Sequence, residues 1–194
     1  MGNLASLNLQ QYIDNFGTKI FFETGTHEGN GLKVAQGYPF EKILSVEIVK
    51  HQAEKMQWFF AQDTRISIFW NRSLNAFEQI LPTIDGPILF WLDAHFPGAD
   101  LGLAPYDVNA PNAIRLPLEE ELRCIKRLRA GKKDVVLIDD LWIYRNNGRD
   151  LQRSELKPFE PFSSDRFFCE ILAETHDSEI IERDEIYCIL TPKA

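Results

Sequence analysis

The chain has 194 residues, 44% hydrophobic and 26% charged, an ordinary globular balance with length enough for a proper core. Its formal net charge of −8 argues against non-specific nucleic-acid binding, which needs a basic footprint. No apolar stretch has the length of a membrane span or the form of a secretory signal. Cys124, Cys169 and Cys188 lack metal-ligand spacing and read as reduced thiols of a cytoplasmic protein. Met1-Gly2-Asn3-Leu4-Ala5-Ser6 fits the N-myristoylation pattern at Gly2, with no polybasic run to reinforce a single acyl chain.

Leu9, Tyr12, Ile13 and Phe16 recur at helical spacing, so a leading amphipathic helix is expected over about 6–16, within a leading segment 1–18. The apolar run Ile20 to Phe22 reads as a buried strand. It meets Glu23 and opens into a loop with Gly25, Gly29 and Gly31, after which helical spacing resumes at Leu32. A second strand, Ile43 to Glu47, again ends in an acid. Val49, Ala53, Met56, Phe59 and Phe60 then predict a helix with an aromatic stripe in the core. A third strand, Ile66 to Trp70, leads into Asn71-Arg72-Ser73 and a short helix before Pro82.

The fourth strand, Ile88 to Leu92, is apolar throughout and runs into Asp93. Continuous apolar runs alternating with helices mark a parallel sheet covered on both faces. Residues 94–116 carry glycines and prolines without periodicity and read as a functional loop. Pro117 starts a helix with Glu119, Glu120 and Glu121 in its first turn, where negative charge suits the dipole. Its Lys126, Arg127, Arg129, Lys132 and Lys133 read as a solvated C-terminal end. The fifth strand, Val135 to Ile138, closes on Asp139-Asp140. A second loop is expected over 144–162, a helix around Phe167 to Leu172, and an antiparallel strand pair at Ile180–Glu182 and Ile186–Leu190.

Four strands therefore end in acids: Glu23, Glu47, Asp93 and Asp139. In an open α/β sheet, ligands bind at the carboxyl ends of the strands near the topological switch point. Two successive strand ends with carboxylates suggest a nucleoside-containing cofactor. The glycine spacing supplies neither the G-x-G-x-x-G of dinucleotide folds nor a P-loop.

The pattern E-x-G-x-x-x-G-x-G over Glu23 to Gly31 resembles the first motif of the class I S-adenosylmethionine-dependent methyltransferases, and the element order resembles that family over roughly residues 19–191. The resemblance implies an α/β, Rossmann-like, doubly wound sheet of seven mostly parallel strands with an antiparallel C-terminal pair, in one domain over 1–194. It implies that Glu23, Gly25, Thr26 and Gly29 hold the methionine part of the cofactor and Glu47 the ribose hydroxyls. Asn71, Arg72 and Ser73 would lie by the adenine, with Asp93 also at the cofactor. Asp93-Ala94-His95 and Ile138-Asp139-Asp140 further resemble the metal-dependent O-methyltransferases of the catechol and sugar types. In that likeness Asp93, Asp139 and Asp140 hold Mg²⁺, a hard cation suited to oxygen ligands, with 94–116 and 144–162 as active-site loops.

His95, two residues past the strand-four acid, is the candidate general base beside the catalytic Asp93. His27 lies inside the glycine loop, where contact with the cofactor carboxylate and capping of the turn are both open to it. The implied activity is O-methylation of a small polar acceptor such as a sugar or glycan hydroxyl, with no nucleic-acid partner. The competing classes are a nucleotide-cofactor oxidoreductase on a related sheet and a non-catalytic binding module. Oligomeric state and acceptor identity are not written in the sequence.

Overall fold

The computed structural model of the protein describes residues 3–99, 101–103, 111–145, 161–182 and 186–194. Residues 1 and 2 of the Gly2 pattern, residues 100 and 104–110 of the first expected loop, residues 146–160 of the second and residues 183–185 between the last two strands lie outside the described residues.

A short 3-10 turn at Leu4–Ser6 precedes helix α1 (Leu9–Phe16), so the leading helix starts later than expected. Strand β1 (Ile20–Thr24) runs two residues beyond its apolar core and includes Glu23. Then follow α2 (Asn30–Gln36), β2 (Lys42–Glu47), α3 (Lys50–Phe59), β3 (Ile66–Trp70) and α4 (Ser73–Ile80). Next come β4 (Ile88–Leu92), a four-residue helix α5 (Asn112–Arg115) inside the expected loop, α6 (Leu118–Leu128) and β5 (Val135–Ile138). The chain closes with α7 (Phe167–Glu170), β6 (His176–Glu182) and β7 (Ile186–Pro192).

The strands form one seven-stranded sheet in the order β3-β2-β1-β4-β5-β7-β6. Strands β1 to β5 pair in parallel, and β7 runs antiparallel to both β5 and β6. Because side chains alternate across a strand, each apolar run feeds two cores. Phe22, Leu44, Phe90, Leu92, Val136 and Ile138 meet Phe77 of α4, Leu122 of α6 and Phe167 of α7 on one face. Phe21, Ile43, Leu89, Trp91 and Leu137 meet Leu9 of α1, Leu32 of α2 and Met56 of α3 on the other. That double coverage is why the central strands read as unbroken hydrophobic runs. The chain moves outward from β1 through β2 to β3, then returns to place β4 on the other side of β1. The carboxyl ends of β1 and β4 therefore flank the switch point.

Two expectations are corrected. Phe59 is 55% exposed and not core, as is its neighbour Trp58 at 81%. Helix α3 buries Ala53 and Met56, and Phe60 just beyond its end, while Phe59 faces out with Lys33 over its ring at 5.8 Å. In the basic cluster, Arg129 is buried rather than solvated. Its guanidinium makes a two-pronged pair with Asp134, Nε to Oδ2 at 2.9 Å and Nη2 to Oδ1 at 2.8 Å, and also donates to the Ile84 carbonyl. Asp134 Oδ1 accepts the Ile88 amide at 2.8 Å. Together they bind the amino ends of β4 and β5, the foot of the sheet, opposite the acids.

Candidate active site

At the head of the sheet, β1 and β2 are in register with Glu23 opposite Ser45. Ser45 donates its hydroxyl to Glu23 Oε2 at 2.6 Å, and Thr26 Oγ1 joins the same chain 2.6 Å from Ser45 Oγ. Glu23 is buried, and this holds its pKa well above the usual carboxylate range. The Ser45 hydrogen bond lowers it, while the charges of Asp93 and Glu47 raise it further. Gly31 has a steric reason: a Cβ there would overlap Glu23 Oε1. Gly25, at φ +84°, has a conformational one as well, because a Cβ would lie 2.8 Å from the Asp93 carbonyl oxygen. These glycines let the β1 loop cross directly over the end of β4.

Glu47, at the end of β2, is buried with both oxygens engaged. Oε2 accepts the His27 amide and Oε1 the Val49 amide, each at 2.9 Å. The Asn71 amide donates to the Glu47 carbonyl at 3.0 Å, which brings the β3 turn alongside.

At the ends of β4 and β5 the arrangement differs. His95 Nε2 lies 2.9 Å from Asp140 Oδ2 and 3.5 Å from Asp93 Oδ1. Asp140 Oδ1 accepts the Trp142 indole N–H at 2.9 Å, and Asp139 Oδ1 accepts the Asp140 amide at 2.8 Å. Asp139 Oδ2 and His95 Nδ1 are buried without a partner. Burial lowers the His95 pKa, but its hydrogen bonds to Asp140 and Asp93 and their charges outweigh this and push it up to about 10. Burial raises Asp140, but the His95 bond and charge with the Trp142 N–H bring it below the usual range. Asp139, buried and repelled by Asp93 and Asp140, is pushed up to about 9. Among the described residues, the non-glycine positions with positive φ are His27 (46°), Phe96 (37°) and Asp140 (45°), all at this end of the sheet.

One cavity runs between the two halves. It is lined by Glu23, Gly25, Thr26, Glu47, Asn71, Arg72, Ser73, Asp93 and His95 of the sequence-derived set. Gly29 does not line it: that glycine backs onto the Phe60 ring. Asp139 and Asp140 stand behind His95. One ligand atom each from Asp93, His95 and Asp140 lie within 4.8 Å of one another. Two carboxylates balanced only by a proton on an imidazole, with a third buried carboxylate oxygen beside them, fit a small divalent cation.

Sequence reasoning missed Glu121. It is buried, Oε1 has no partner, and the Ser73 and Thr24 hydroxyls lie near its carboxyl group. Burial pushes its pKa up to about 7; the two hydroxyls lower it and Asp93 raises it. The missed signal was positional: Leu118, Glu121, Leu122 and Ile125 fall at i, i+3, i+4 and i+7 of one helical face.

No protein-family model matches the chain, and no curated protein matches it in sequence. Its shape does have solved counterparts. The O-methyltransferase from Bacillus cereus, solved with S-adenosylhomocysteine, superposes with a TM-score of 0.61 at 14% identity, over 95% of this chain and 79% of the other. A Staphylococcus aureus protein named as a caffeoyl-CoA O-methyltransferase gives 0.61 at 12%, over 100% and 85%. The S-adenosylhomocysteine-bound methyltransferase PaMTH1 of Podospora anserina gives 0.56 at 12%, over 95% and 76%. The chain thus has the Rossmann-like fold of the class I methyltransferases, with the mostly parallel sheet and antiparallel C-terminal pair expected from the sequence.

Proposed function

We infer that this protein is a single-domain, cytoplasmic S-adenosylmethionine-dependent O-methyltransferase, aided by a divalent cation such as Mg²⁺ and acting on a hydroxyl of a small polar acceptor such as a sugar. The observation that carries the reading is one cavity at the switch point, with a glycine loop and Glu47 on one side and Asp93 with His95 on the other. When bound, the cofactor supplies an electrophilic methyl group and the cation lowers the pKa of an acceptor hydroxyl. Glu47, fixed by two backbone amides, is oriented to accept from ribose hydroxyls. Asp93 and Asp140, with Asp139 beside them, would hold the cation.

His95 would take the acceptor's proton. In the arrangement described it carries a proton between Asp93 and Asp140, and an imidazolium is a donor only. Base action near neutral pH therefore requires another cation to balance the two carboxylates. Metal binding and base action stand or fall together. Calorimetry with S-adenosylhomocysteine, with and without Mg²⁺, is the direct test. Binding is expected, and turnover should vanish in chelator and return with Mg²⁺. Binding of NAD with indifference to S-adenosylhomocysteine would overturn the reading; full turnover in excess chelator would remove both the cation and the base role of His95 from it.

A further inference from the structure

His27 is placed as few ordinary loop residues are. Its backbone sits at φ +46°, in the left-handed region that only a few per cent of non-glycine residues occupy, asparagine, aspartate and histidine most often among them. Both of its backbone polar groups are tied down. The amide donates to Glu47 Oε2 at 2.9 Å, and the carbonyl accepts the side-chain amide of the buried Gln52. The residue lines the cavity, and its Nε2 is shielded from solvent without any hydrogen-bond partner. A strained, doubly anchored backbone carrying an unsatisfied ring nitrogen, on a residue at the wall of a cavity, is costly for folding alone, and such strain clusters at ligand clamps.

Resting on the cofactor reading above, we propose that His27 is a cofactor-binding residue whose Nε2 hydrogen-bonds a ribose hydroxyl of the bound nucleoside. Two observations favour the ribose over the amino-acid part. The His27 amide is one hydrogen bond from Glu47, the acid placed to accept from that ribose. A hydroxyl both donates and accepts, so it satisfies Nε2 in either imidazole tautomer. Glu47 and His27 thus form a two-sided grip: the carboxylate is oriented by the His27 backbone, and the ring reaches the same sugar.

The test separates ligand contact from loop structure. Glycine removes the ring and relieves the positive φ, so His27→Gly should raise Tm by about 2–4 °C, or at least not lower it. The same variant should weaken binding of S-adenosylhomocysteine about 10-fold, as for one lost hydrogen bond. 5′-Methylthioadenosine, which keeps the ribose but lacks the amino-acid part, should lose affinity by the same factor in calorimetry. His27→Asn, which tolerates the left-handed backbone, should likewise keep at least the wild-type Tm while losing affinity for both ligands. Loss confined to S-adenosylhomocysteine would overturn the ribose contact, and unchanged affinity for both ligands would overturn any contact. A fall in Tm alongside affinity in His27→Gly would make His27 structural. A wild-type protein that binds neither nucleoside would sink the cofactor reading itself, a result distinct from all of these.

Discussion

The two halves of the site hold their carboxylates by opposite means. At the ends of β1 and β2, Glu23 and Glu47 are bonded to a serine hydroxyl and to backbone amides, partners that do not leave. At the ends of β4 and β5, Asp93 and Asp140 share one imidazole, and Asp139 has an oxygen with no partner. On the function proposed above, the first half is a finished socket for hydroxyl groups, its carboxylates already held in place. The second carries charge that is balanced by a single proton and can be rebalanced by a cation. On that proposed function, the difference separates binding from chemistry along the same row of strand ends.

Four changes would break or sharpen this contrast. The largest effect is expected at His95. Its conversion to alanine should lower kcat roughly 10²–10⁴-fold, with cofactor affinity unchanged within a few-fold, and the acidic limb of the kcat profile should disappear. A variant with wild-type kcat and the same limb would make the charged half structural too.

Glu121, packed against the underside of the site, is next. Its folded pKa of about 7 lies above the 4.5 of an unfolded glutamate. Between those values the folded chain keeps a proton that the unfolded chain has released, so stability falls as pH rises through that window and the loss is complete above it. The expected loss is about 3 kcal/mol. Denaturant titrations of wild type against Glu121→Gln should show this difference growing from about pH 4.5 to above pH 7, and parallel curves would refute it.

Glu47→Ala should cost about 2–3 kcal/mol in S-adenosylhomocysteine affinity, from two lost charge-assisted hydrogen bonds. Because the same carboxylate orients the His27 and Val49 amides, amide exchange at those two residues should quicken as well. Slow exchange with lost affinity would mean that the socket is held by something other than Glu47. The smallest effect is expected at Trp58, which is 81% exposed. Trp58→Ser should leave stability within about 0.5 kcal/mol, and a larger loss in thermal melts would show that this side of α3 is covered.

Much of the socket was legible in the sequence because its chemistry is local. Glu23 to Gly31 is one continuous stretch, and each buried strand announces itself as an apolar run closing on an acid. The charged half was legible only in part. Asp93 and His95 are neighbours in sequence, but the meeting of His95 with Asp140 depends on β4 pairing with β5, a contact that no local pattern encodes. Gly31 was readable as loop glycine but not as the space for a Glu23 oxygen. Arg129 looked like one more cation at a helix end, yet it lies four residues beyond Ile125 on the stripe that α6 buries. Phe59 and Phe60 both fit the periodicity of α3, and only packing distinguishes the ring that goes in from the one that stays out.

The pair between Arg129 and Asp134 has a consequence in time. The bond from Asp134 to the Ile88 amide closes the foot of the sheet far from the cavity, and the strands beside it are fully covered. On the function proposed above, openings that admit and release ligands would occur at the head, where loops replace strand pairing, and would not need to loosen this clasp. In deuterium, the amides at the start of β4 should be among the last to exchange, and bound S-adenosylhomocysteine should slow the head while leaving the clock at the foot unchanged.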